Sequence, residues 1–117
     1  MLELLEELDP TVKKVFQKHV HMHELTSMSI NGTKGQALAL TNRYLYLILK
    51  GFFRANCYKI SPDELVDVKV DVDTLVMKTQ GKEHRLNLPK KKKHLLGKIK
   101  KRLHSFRLED EKLTGNS

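Results

Sequence analysis

Three histidines, His19, His21 and His23, recur at every second position near the start of the chain. On a strand, residues two apart share a face, so three imidazole nitrogens would gather around a single metal ion. The plainer account is a polar strand edge or a helix-to-strand junction, and it is preferred, so no metal is assigned. Asp71 and Asp73 would share a face in the same way, for acid–base or cation work, yet their alternation with Val70 and Val72 already explains them as the wet side of a strand. Cys57 would be a reactive thiol if Arg54 or Lys59 lowered its pKa; between Asn56 and Tyr58 in an apolar strand it reads better as a small buried hydrophobe. Tyr44, Tyr46, Phe52 and Phe53 lie among Arg43, Lys50 and Arg54, the composition of a base-stacking platform, although aromatics in central strands more often belong to the core.

The densest chemistry is charge. The 117 residues carry 22 Lys and Arg against 14 Asp and Glu, a net charge of +8. Lys90, Lys91, Lys92, Lys93, Lys98, Lys100, Lys101, Arg102 and Arg107 fall within 18 positions that contain no acid. Exposed helices ordinarily mix both signs for support between residues four apart, and four lysines at a helix start oppose its dipole. Keeping a docked helix soluble is one account of these cations. The other is an anionic partner: an anionic lipid surface, nucleic acid or an acidic protein face. We take Lys90 to Lys93, Lys98, Lys100, Lys101 and Arg102 as the candidate contact residues. Asp63, Asp67, Asp71 and Asp73, or Glu3, Glu6 and Glu7 of a second copy, offer internal counter-charge, and the latter would give a homo-oligomer.

Motifs for other chemistries are missing from the sequence. It holds neither G-x-G-x-x-G nor a Walker-type loop, no G-x-S-x-G elbow, and a lone cysteine that can form neither C-x-x-C nor an internal disulfide. The expectation is a non-enzyme without a cofactor. No apolar run approaches the roughly 18 residues that cross a bilayer, and the acidic start lacks the basic and apolar regions of a secretory signal. A cytoplasmic protein, at most peripheral at a membrane, is expected.

The elements that must position these residues follow from periodicity. Residues 2–19 carry Leu4, Leu5, Leu8, Val12, Val15 and Phe16 at helical spacing, with Pro10 able to start a fresh helical piece after Asp9. The period changes to two over 20–30, and strands follow at 36–40, 43–50, 52–60, 65–73, 74–79 and 83–88. Asn31 to Gly35, Thr41-Asn42 and Gln80 to Lys82 supply turns, and Pro62 interrupts the ladder. In 65–73, Val66, Val68, Val70 and Val72 are expected to face the core. After Pro89, Leu95, Leu96, Ile99, Leu103 and Phe106 form the apolar stripe of a basic amphipathic helix.

Seven strands and a closing helix follow the element order of a pleckstrin-homology-like barrel. The segment Gly35-Gln36-Ala37-Leu38-Ala39-Leu40-Thr41-Asn42-Arg43 resembles the G-x-L-x-L-T-N-x-R hairpin of small bacterial PH-domain-like and GRAM-type proteins, with the arginine shifted by one place. The resemblance implies an α+β fold: a seven-stranded antiparallel barrel or sandwich closed by a C-terminal amphipathic helix. Its divisions would be an N-terminal helical extension over 1–19, the PH-like domain over 20–108 and a flexible tail over 109–117. It implies a binding or scaffolding module that docks a protein partner. Lipid binding through the first hairpin is not implied, since Lys34 is the sole cation between Met28 and Leu40. The alternative function is nucleic-acid binding through the same basic helix.

Overall fold

Pro10 decides where the first helix begins. A computed structural model describes residues 4–51 and 53–115, with side chains described as far as Arg107. Asp9 sits at φ −54° and ψ 141°, the extended geometry that a following proline imposes, and helix α1 runs over Pro10–His19 with proline in its first turn. The expected helix over 2–19 is therefore shorter. Residues 2 and 3 lie outside the described residues, and Leu5 instead forms a parallel bridge to Ser29. Glu6 N–H donates to Ser29 O and Ser29 N–H to Leu4 O, each at 2.8 Å. Those backbone groups cannot also serve a helix.

Two compact units follow one another along the chain, Met1–Ile60 and Ser61–Ser117. The first holds β1 (Thr26–Asn31), β2 (Gln36–Thr41), β3 (Leu45–Lys50) and β4 (Ala55–Ile60), an antiparallel sheet in that order. β3 lies inside this sheet, which is why its residues 45–48 are buried on both faces. Helix α1 packs over β3 and β4. Its Val12 and Phe16, together with Leu8, bury against Ala37, Ala39, Tyr46 and Ile48. The two alanines leave room for the Phe16 ring to meet Tyr46 edge-on, centroids 5.3 Å apart. Fully burying a side chain such as Phe16 or Val12 stabilises by about 1.5–3 kcal/mol.

The second unit holds β5 (Leu65–Asp71), β6 (Thr74–Thr79) and β7 (Lys82–Asn87), again antiparallel and in order. A 3₁₀ segment, Lys90–Leu95, leads into α2, Leu96–Gly115, which packs on β5 and β6. Leu95, Leu96, Ile99, Leu103 and Phe106 are all buried, the stripe that the helical spacing predicts. The helix continues through positions 109–115, which read as a tail in the sequence; 116 and 117 lie outside the described residues.

Seven antiparallel strands and two helices make the protein α+β, but the ladders form two sheets and do not close into a barrel. They part at residues 61–64, where the Glu64 carboxylate accepts from Ser61 N–H and Oγ and Pro62 has no N–H to offer. β5 also departs from its expected pattern. Leu65 and Val68 are buried, whereas Val66, Val70 and Val72 are exposed. A bulge between Leu65 and Asp67 breaks the strict alternation, and Val72 lies in the turn to β6 at φ +58° rather than in the strand.

Candidate functional site

The buried stripe of α2 fixes what the basic segment can present. With its apolar residues committed to the second unit's own sheet, the helix turns its cations outward. Lys90, Lys91, Lys93, Lys98, Lys101 and Arg102 are exposed, and Lys92, Lys100 and Arg107 are half-buried. The four lysines at positions 90–93 start the 3₁₀ segment, not an α-helix, so they fan around a tighter turn of three residues. No acid stands in the first turn of either helical piece.

Counter-charge from the same unit is directed elsewhere. Asp67 pairs with Lys69 at 3.9 Å, and Asp71 and Glu83 pair with Arg85 at 4.0 and 3.1 Å. The Asp73 carboxylate accepts from Thr74 Oγ1. Glu7 pairs with Lys13 in the first unit. Among the described residues, Lys90, Lys91, Lys93, Lys100, Lys101 and Arg102 form no ion pair.

The other sequence candidates do not come together. His19 ends α1, where its Nδ1–H donates to Val15 O at 2.8 Å. His21 and His23 lie in the connection from α1 to β1, their rings 5.2 Å apart, with His23 N–H donating to His21 Nδ1. Strand alternation, the premise for grouping the three, is absent because β1 starts only at Thr26. Among the described residues no set of three or more His, Cys, Asp or Glu is arranged to hold a metal ion. Cys57 is half-buried, and burial pushes its thiol up to about 11 despite the opposing charge of Lys59. The aromatic platform is dispersed. Tyr46 is buried, Tyr44 meets Tyr46 edge-on and carries Lys59 Nζ 4.1 Å from its ring centre, and Phe53 stands 92% exposed. Phe52 lies outside the described residues.

Two features escaped the reading of motifs. The first is Glu24, 9% exposed, whose carboxylate accepts from Thr41 Oγ1 at 2.6 Å, Tyr46 OH at 2.8 Å and His21 N–H at 2.8 Å. Burial acts to raise its pKa, but these hydrogen bonds and the charge of Lys59 outweigh it and hold the carboxyl below its ordinary value. Burial and the adjacent carboxylate together push the Tyr46 phenol far up. Three donors and no exchangeable vacancy make Glu24 a clasp for the 20–25 connection. Its signal in the sequence was isolation: it is the sole acid between Asp9 and Asp63.

The second is the stretch that this isolation leaves. Residues 25–62 contain Lys34, Arg43, Lys50, Arg54 and Lys59 and no acid at all. The sheet of the first unit is therefore as one-sided in charge as the C-terminal segment. An open cleft of about 330 Å³ in this unit, lined by Glu6, Leu8, Lys13, Phe16 and Val20 among others, carries charges of both signs. No helix among the described residues is long and apolar enough to cross a membrane. Compared with protein-family models, with curated proteins and with solved structures, the chain finds no match.

Proposed function

We propose that the protein is a non-catalytic docking module of pleckstrin-homology-like architecture, which engages a protein partner and rests on an anionic surface through Lys90 to Lys93, Lys98, Lys100, Lys101 and Arg102. One observation carries this reading: Lys90, Lys91, Lys93, Lys100, Lys101 and Arg102 form no ion pair with a described residue, on a helical segment whose apolar stripe is already buried. Such a surface attracts polyanions over roughly 8 Å in physiological salt, and more weakly as salt rises. A helix that has committed its apolar face cannot insert it into a partner, so the contact is electrostatic and reversible. The division into four and three antiparallel strands with a helix after the last strand supports the architecture.

The groups capable of chemistry support the non-catalytic part. Cys57 is held as a thiol, Glu24 is saturated with donors, and burial, then Lys82, pushes the His84 pKa down. The test is co-sedimentation with phosphatidylserine-containing vesicles, and titration of duplex and single-stranded DNA, at two salt concentrations. The wild type is compared with the quadruple variant Lys90→Gln, Lys91→Gln, Lys92→Gln, Lys93→Gln. Salt-sensitive vesicle binding that the variant loses is the expected result. Binding to DNA alone replaces the reading with nucleic-acid recognition, and binding to neither leaves only the protein-partner module.

A further inference from the structure

The sheet of the second unit runs β5-β6-β7, so among the described residues β7 pairs with β6 alone. An edge strand offers a row of unpaired N–H and C=O groups, which proteins commonly blunt with bulges or with charge. β5 carries the bulge between Leu65 and Asp67, whereas β7 keeps unbroken register with β6 from Lys82 to Asn87. The turn fixes which groups β7 leaves free. Gln80 and Gly81 alone separate the partners Thr79 and Lys82, and a loop that short is closed by a hydrogen-bonded pair. Antiparallel ladders alternate, so Lys82, His84 and Leu86 commit their backbone groups to β6, and Glu83 and Arg85 direct theirs to the outer edge. Both are exposed, and their side chains share one face, where Arg85 lies 3.1 Å from Glu83.

We propose that the protein self-associates through this edge: β7 strands of two copies pair antiparallel about a two-fold axis at His84, joining two three-stranded sheets into one. In that register Glu83 stands directly opposite Arg85 of the second copy, and Arg85 opposite its Glu83. These are the residues with outward backbone groups, so each pair exchanges both of its N–H···O bonds. The charged side chains form a square in which every neighbour, along a strand or across the axis, has the opposite sign. Adjacent registers are poorer. An axis at Glu83 or at Arg85 sets like charges against each other, and one at Leu86 brings Glu83 opposite Pro89, which has no N–H. A guard of one sign would repel its own copy, whereas Glu and Arg two positions apart match it, which is why a second copy is the occupant. The contact uses none of the cations of the basic segment and stands or falls separately from it.

Sedimentation velocity of the full chain tests this, and the wild type should pass from monomer to dimer over about 1–300 µM. Glu83→Arg and Arg85→Glu each convert both cross-strand pairs into like-charge pairs, and each should weaken the dimer about tenfold. Mixed in equal amounts, the two variants again set arginine opposite glutamate at both positions, so the mixture should dimerise about as well as the wild type. Amide exchange followed by NMR should slow at Glu83 and Arg85 of the wild type as its concentration rises. A monomer throughout the range overturns the proposal, as does a dimer indifferent to either reversal. Reversals that are folded by circular dichroism yet not rescued by mixing overturn it too. Unslowed amides at both positions in the wild-type dimer do so without any variant. A dimer that survives both reversals but is lost in the quadruple Lys→Gln variant assigns association to the basic segment and overturns the β7 contact.

Discussion

Charge is handled in opposite ways by Glu24 and by the basic segment. Glu24 is drawn inside the first unit and given three donors, so that its ionised form is part of the packing. Lys90, Lys91 and Lys93 stay in water in the second unit, whose acids Asp67, Asp71 and Glu83 pair with Lys69 and Arg85. A satisfied inward charge contributes to folding and has little left to offer a ligand. An unsatisfied outward charge contributes nothing to folding and is available. Stability measurements on the two regions should therefore diverge, and binding measurements should diverge in the opposite sense.

The largest effect is expected at the clasp. Glu24→Ala leaves the buried Tyr46 hydroxyl, the Thr41 hydroxyl and the His21 N–H without their acceptor, a loss of about 3 kcal/mol in urea denaturation. A loss below about 1 kcal/mol would show that the carboxylate is a passenger, and the contrast would collapse. The same group has a pH signature. Its folded pKa lies below the ordinary value of 4.5, so its contribution is complete above that value and is lost as pH falls through the depressed pKa. Glu24→Gln removes the titrating group, and the acid limb of the stability curve should flatten relative to wild type. Parallel limbs would mean that other carboxylates govern acid unfolding.

A smaller effect of opposite sign is expected in the second unit. Val72 joins β5 to β6 at φ +58°, where a β-branched side chain crowds the backbone. Val72→Gly should stabilise by about 0.5–1 kcal/mol, the relief of strain exceeding the added freedom of the unfolded chain. It should leave vesicle binding unchanged, since the turn is remote in sequence from both cation sets. Destabilisation would show that the exposed valine packs in a way its 70% exposure conceals.

These residues also show what was legible in the sequence and why. The stripe Leu95, Leu96, Ile99, Leu103, Phe106 was readable because burial against one sheet face enforces a single period. The turns at 31–35 and 80–81 were readable because Gly35 and Gly81 sit at φ +76° and +80°. Val66 misled because the bulge between Leu65 and Asp67 turns it outward before Val68 faces inward again, and nothing in an alternating run marks where a bulge falls. Residues 4–9 carried helical spacing but were claimed by Ser29, a partner more than twenty positions away. The clasp was missed for a related reason. It is assembled from separate turns and strands, and the only local trace was a missing residue type, the acids around Glu24.

The smallest stability effect belongs to the surface with the largest proposed binding effect. In the triple variant Lys90→Gln, Lys91→Gln, Lys93→Gln, no ion pair of those lysines with a described residue is broken, because none exists. Mutual repulsion among adjacent cations at the positive end of the helical segment is relieved. Those two facts predict a change within about 0.5 kcal/mol of wild type, on the stabilising side. Thermal unfolding at low and high salt checks it: the difference between variant and wild type should shrink as salt screens the repulsion. A clear destabilisation would mean that the lysines hold the second unit together, and the same data would then assign the basic segment to folding instead of to a partner.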